Sequence, residues 1–140
     1  MKPLFPLFIA FLLFGSIRLS AQTKPTDAVL NNKTFSIILI KKSGDRKGWQ
    51  WTTDELSFIS NKLISKVQKE KEGFPSSVCS IAIDSSASPK TIKFKTTVKN
   101  TGISKIIWDG TVKGEQIDGT AIWINGQGTQ VYTFSGTIKE

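Results

Sequence analysis

Trp49 and Trp51 stand two residues apart in the segment KKSGDRKGWQWTTD, close to Lys41, Lys42, Arg46 and Lys47. In an extended segment, residues two apart face the same side, so this pair can form an aromatic plate. Such a plate can meet a ligand or partner, or plug the end of a hydrophobic core. Basic side chains mixed with aromatics are the composition of single-strand nucleic-acid binders. An anionic glycan, a lipid headgroup or an acidic protein surface would use the same charges, and so would a loop that is merely solvated.

Other chemistry is limited by what the chain lacks. It contains no histidine, which removes Ser-His-Asp and Cys-His catalysis and the commonest metal ligand. One cysteine, Cys79, lies in the alternating stretch VCSIAID and reads as a small buried hydrophobe. No nucleophile and base stand at useful spacing, so the expectation is a protein that is not an enzyme and holds neither metal nor cofactor.

The N-terminus bounds the compartment. Lys2 is followed by the apolar run LFPLFIAFLLF and then GSIRLSAQ, the order of a secretory signal peptide and too short for a bilayer-spanning helix. Residues 1–21 are therefore expected to be a cleaved signal, giving an exported periplasmic or secreted protein that does not span the membrane. Export argues against nucleic acid as the partner. Without Lys2 and Arg18, 17 basic side chains face 11 acidic ones, about +6 in formal charge, which favours an acidic surface partner. A single cysteine allows no internal disulfide, so one hydrophobic core must hold the domain.

The elements that must position these residues are strands. After a leader over 22–32, the dominant period from Lys33 onward is two, with Ile, Val, Thr, Phe and Trp between Gly, Asn, Asp and Ser turns. Eight strands are predicted, over 33–41, 54–59, 62–67, 78–84, 90–99, 103–113, 116–125 and 130–139. The alternating charges of KEKEG, 69–73, read as a solvated loop. The link 42–53 is the long one, where lids and binding loops occur.

Turn chemistry suggests registers. Gly114-Glu115 suits a two-residue turn, which sets Trp108 opposite Ala121 and Gly110 opposite Gly119. A four-residue loop over 126–129 would place Gly119 opposite Gly136, and a three-residue turn over 100–102 would place Phe94 opposite Trp108. Gly110, Gly119 and Gly136 would then form one row, letting the sheet coil and leaving an inner strip for a far-wall side chain or a ligand. The opposite face carries Lys93, Lys95, Lys99, Asp109, Lys113, Gln116 and Asp118 and reads as a solvated outer wall. Asp109 and Asp118 thus lie outside any cleft that could support glycoside hydrolysis.

The glycine-punctuated stretch WDGTVKGEQIDGTAIW with YTFSGTIK resembles the calycin group, the lipocalins and avidin-like barrels. The lipocalin G-x-W motif is missing: LNNKTF puts Asn32 and Phe35 in its place. The resemblance implies an all-β, single eight-stranded antiparallel meander barrel over 33–140, lipocalin-like, and carries over no ligand residues.

Two functions fit this reading. One is an exported binding protein that holds a small, largely apolar ligand in or at the barrel mouth. Its lining would be Ile92, Phe94, Trp108, Trp123, Tyr132 and Phe134, with Trp49 and Trp51 closing the end. The other is an inhibitor-like module that grips a protein or anionic glycan with the basic, tryptophan-bearing loop 42–53. An open interior favours the first and a filled one the second.

Overall fold

A computed structural model describes residues 29–42 and 51–140. Within them run β1 (Lys33–Lys41), β2 (Trp51–Ile59), β3 (Lys62–Ser65), α1 (Lys66–Glu72), β4 (Ser77–Val78), β5 (Ser80–Asp84), β6 (Thr91–Lys99), β7 (Lys105–Lys113), β8 (Gln116–Asn125) and β9 (Gly128–Ile138). All pairings are antiparallel, in the order β4-β3-β2-β1-β9-β8-β7-β6-β5. This is an all-β meander barrel, nearly closed. The two edge strands, β4 and β5, are consecutive in the chain and flank Cys79, so the strand expected over 78–84 is here a strand that bends. Counted once, it gives eight strands; counted by its two pairings, nine. Across the seam, Thr96 Oγ1 donates to the Val78 carbonyl at 2.8 Å and Ser77 Oγ to the Thr97 carbonyl at 2.9 Å. These side-chain bonds satisfy edge groups that ladder pairing leaves open.

Inward positions alternate as the sequence dictates. Phe35, Ile37 and Leu39 of β1, Leu56 and Phe58 of β2, Ile92, Phe94 and Val98 of β6, Ile106, Trp108 and Val112 of β7, Ile117 and Ala121 of β8, and Phe134 of β9 are all buried. The charged positions named for the outer wall are all exposed. The interior is therefore filled over most of its length, with edge-on ring contacts such as Phe58–Phe94 at 5.1 Å and Trp108–Phe134 at 5.4 Å.

Two expected turns are wrong by the same amount. The β8–β9 turn is the two-residue Gly126-Gln127, since Asn125 pairs with Gly128, so Gly119 faces Phe134 and Gly136 faces Ile117. Gly128 takes the left-handed φ of 128° there, and the Asn125 side chain accepts the Gln127 N–H at 2.9 Å. The β6–β7 link spans five residues, not three, because Lys99 pairs with Lys105, so Phe94 faces Gly110 rather than Trp108. Each slip is two residues, one side-chain period, so every face assignment survives while the rows shift. Gly110 and Gly119 accordingly share a row, while Gly136 lies one diagonal step, two residues along, out of it. The Gly114 turn has the expected register, with Gly110 opposite Gly119 and φ 62° at Gly114.

The third departure is α1, over residues read as strand and loop. Ser65 is its N-cap, accepting the Gln68 N–H at 3.2 Å, and Gly73 ends it in the left-handed conformation. With Lys66 drawn into the helix, Glu55 on the neighbouring β2 takes its hydrogen bond from Lys139, which donates to Glu55 Oε1 at 2.7 Å.

Candidate functional site

Because β3 stops at Ser65, the wall beside the N-terminal half of β2 is supplied by α1 rather than by a strand. The docking residue is Asp54. It occupies an inward position of β2, next in alternation to Leu56 and Phe58, and is 5% exposed. One carboxylate oxygen accepts the Val67 N–H at 2.9 Å and the Glu55 N–H at 2.7 Å; the other accepts from Ser65 Oγ. A carboxylate at the first turn of a helix satisfies N–H groups that have no intrahelical partner. Burial pushes the Asp54 carboxyl above its usual range, against the hydrogen bonds from Ser65, Val67 and Glu55 that act the other way.

Beneath the helix, at the end of the barrel where β1 and β6 finish, lies a pocket of about 170 Å³. Its barrel side is Leu39, Thr52, Ile106, Trp108, Ala121, Trp123 and Tyr132, and its helix side is Val67, Gln68, Lys71 and Glu72. Phe74, just past the helix, is buried and meets Trp123 edge-on at 6.5 Å. Tyr132 Oη donates to Gln130 Oε1 at 2.8 Å, and burial raises its pKa, so the phenol is neutral there. Of the side chains of Gln68 and Trp123, the atoms Oε1 and Nε1 are buried without a hydrogen-bond partner.

A second, more open cleft of about 590 Å³ runs over the other side of α1, between Lys66, Val67 and Glu70 and outer positions of β1, β2 and β9 such as Ile38, Thr53 and Thr137. Among the described residues no group of three or more Cys, Asp or Glu side chains could hold a metal ion, and no helix is long and apolar enough to cross a membrane.

The candidate lining residues divide into two sets. Trp108, Trp123 and Tyr132 meet at the end pocket. Ile92, Phe94 and Phe134 are buried in the packed core, and Phe94 and Phe134 fill the space over Gly110 and Gly119 where an inner strip was expected. Trp51 begins β2, opposite Ile40, and is not part of a loop. Trp49, residues 43–50 and the segment 1–28 lie outside the described residues. Leu39, Ile106, Val67 and Gln68 were not among the candidates. Ser65-x-x-Gln68 followed by Gly73 is a helix-start and helix-stop signal that points to the last two of them.

The fold and this end pocket define a meander β-barrel with a helix set into its wall, compatible with a calycin-like architecture. No family model, no curated protein and no solved structure matches the chain at the significance applied.

Proposed function

We propose that this is a non-enzymatic binding protein of the calycin-like kind, which takes a small, largely apolar molecule at the mouth of its barrel. The observation that carries this reading is the end pocket, with Leu39, Ile106, Trp108, Ala121 and Trp123 converging from β1, β7 and β8 under a helix that contributes no fully buried residue of its own. Cavities of about 150 Å³ with apolar walls hold one benzene-sized molecule. A volume of about 170 Å³ therefore suits a ligand of that size, smaller than the one an open barrel interior would take. α1 is seven residues long, too short to be stable by itself, and is held mainly through Asp54 and Ser65. Such an element opens at less cost than the barrel does, which provides a way in. The apolar N-terminus supports export to the periplasm or medium after removal of residues 1–21.

The test is a titration of the purified protein with toluene, read by the indole N–H resonances and by thermal melting. Saturable shifts of the Trp108 and Trp123 signals with a raised melting temperature are expected. Unchanged signals and melting up to the solubility limit would overturn the reading.

A further inference from the structure

The outer face of β7, β8 and β9 near the pocket end of the barrel carries side chains that solvation alone does not explain. The registers align Thr97, Ile107, Ile122 and Val131 as one outward row across β6 to β9. The Lys42 N–H donates to the Val131 carbonyl at 2.7 Å, which places Lys42 at the end of that row beside β9. The next row toward the rim is Lys99, Lys105 and Ile124. Beyond it stands Ile103 in the β6–β7 turn, 81% exposed. Its Cδ1 lies 2.9 Å from where a Cβ on Gly126 would stand, so the β6–β7 and β8–β9 turns form one tip. Among the described residues, neither row and neither turn holds an Asp, Glu, Arg or aromatic side chain; Asp109, one row further from the rim than Ile107, is the first acidic group met on β7. The inward neighbours Ile106, Trp123 and Tyr132 line the end pocket, so this face adjoins its mouth.

Lys99 and Lys105 are direct cross-strand partners on one face, a like-charge pairing that is unfavourable until an anion lies against it. Ile103 between them in sequence, and the partly exposed Ile107, Ile122, Ile124 and Val131, add apolar surface beside that charge. The geometry points to an anionic phospholipid surface as the partner of this face. Ile103 enters the boundary between headgroups and acyl chains, the aliphatic row follows behind it, and Lys99, Lys105 and Lys42 meet the phosphates. Successive outward positions on a strand are about 7 Å apart, a spacing within the depth of about 5–10 Å that interfacial segments reach. A protein partner fits less well, since protein interfaces are enriched in aromatic residues, Met and Arg and depleted in Lys, the reverse of this composition. Lysine offers a point charge on a flexible stem, which suits mobile headgroups. The surface lies outside the end pocket, so it is tested separately from ligand binding there.

The test is flotation of the purified exported protein with vesicles of phosphatidylcholine alone or of phosphatidylcholine and phosphatidylglycerol in equal parts. Saturable binding to the mixed vesicles is expected, lost on the neutral ones and weakened by salt. Lys99→Gln with Lys105→Gln should weaken it about 25-fold, each lysine at an anionic surface contributing a factor of about five. Ile103→Ser should weaken it about tenfold. Lys93→Gln with Lys113→Gln removes the same charge from the other end of β6 and β7 and should change binding less than about twofold, with melting temperatures confirming that every variant is folded. An equal loss in the two lysine pairs would show diffuse attraction to the whole basic protein and overturn the proposal, as would full binding by Ile103→Ser or equal binding to neutral vesicles. Absence of binding to the mixed vesicles would overturn it as well and return this face to an acidic protein partner.

Discussion

Phe94 and Gly110 are direct cross-strand partners, and the ring of the first occupies the space that a Cβ on the second would need, with Phe94 Cε1 2.7 Å from that position. Phe134 stands in the same relation to Gly119, one pair further round the barrel. Aromatic rings laid over glycines explain how strands with missing side chains still close a packed wall. Gly110→Ala should therefore be destabilising by about 1–3 kcal/mol, and less so in a Phe94→Leu background where the ring no longer competes. A double-mutant cycle from urea unfolding should show coupling of about 1 kcal/mol between the two positions; additive effects would contradict the contact.

Gly136 presents a harder constraint. A Cβ there would lie 2.8 Å from Ile37 Cα and closer still to the Ser36 carbonyl oxygen, and backbone cannot step aside as a ring can. Gly136→Ala should thus part β1 from β9 and cost about 3 kcal/mol or prevent folding. Gly73→Ala meets nothing within 4 Å and suffers only its left-handed φ of 68°, an expected loss of about 1 kcal/mol. Equal unfolding midpoints for these two variants would show that the β1–β9 approach is not the determinant.

Asp54 should give stability an acid-favoured component. Its folded-state pKa is raised by burial, so the native protein holds this proton to a higher pH than the unfolded chain, whose value is near 3.8. The contribution is present below that value and is lost as pH rises through the raised pKa. The difference in melting temperature between wild type and Asp54→Asn should consequently shift against wild type over that window and level off above it. Asp54→Ala should lose about 1–3 kcal/mol at neutral pH, because Val67, Glu55 and Ser65 are left without their acceptor, with faster amide exchange in α1. Asn and Ala variants of equal stability would exclude this role.

Cys79 sits at the bend between β4 and β5, where burial pushes its thiol up to about 11. Only a small fraction is thiolate at neutral pH, so alkylation should be slow in the native protein and rapid in denaturant. Ready labelling of the native protein at pH 7.5 would mean that the β4–β5 seam opens readily.

Much of this barrel was legible as a string of residues. The inward and outward faces of the strands from Thr91 to Ile138 and the turn at Gly114 follow from a two-residue period and from local turn preferences, whereas the bend at Cys79 inside the strand expected over 78–84 does not. The same evidence could not resolve a slip of two, since Phe94 opposite Trp108 and Phe94 opposite Gly110 both keep the apolar side chains inside. The exchange of Asn100 and Asn125 side-chain bonds with their own turns settled the loop lengths.

The sequence by itself determined an all-β architecture, a histidine-free chemistry and the membership of Trp108, Trp123 and Tyr132 in the inner face, because alternation and composition are local properties. The tertiary structure alone decided that Phe94 and Phe134 fill the glycine strip, and that α1 replaces the rest of β3 because Asp54 satisfies its first turn. It also decided that Leu39, Gln68, Ile106 and Trp123 share one pocket. Those four residues lie on β1, α1, β7 and β8, and what brings them together is the closure of the sheet, a long-range packing event that leaves no local pattern in the chain.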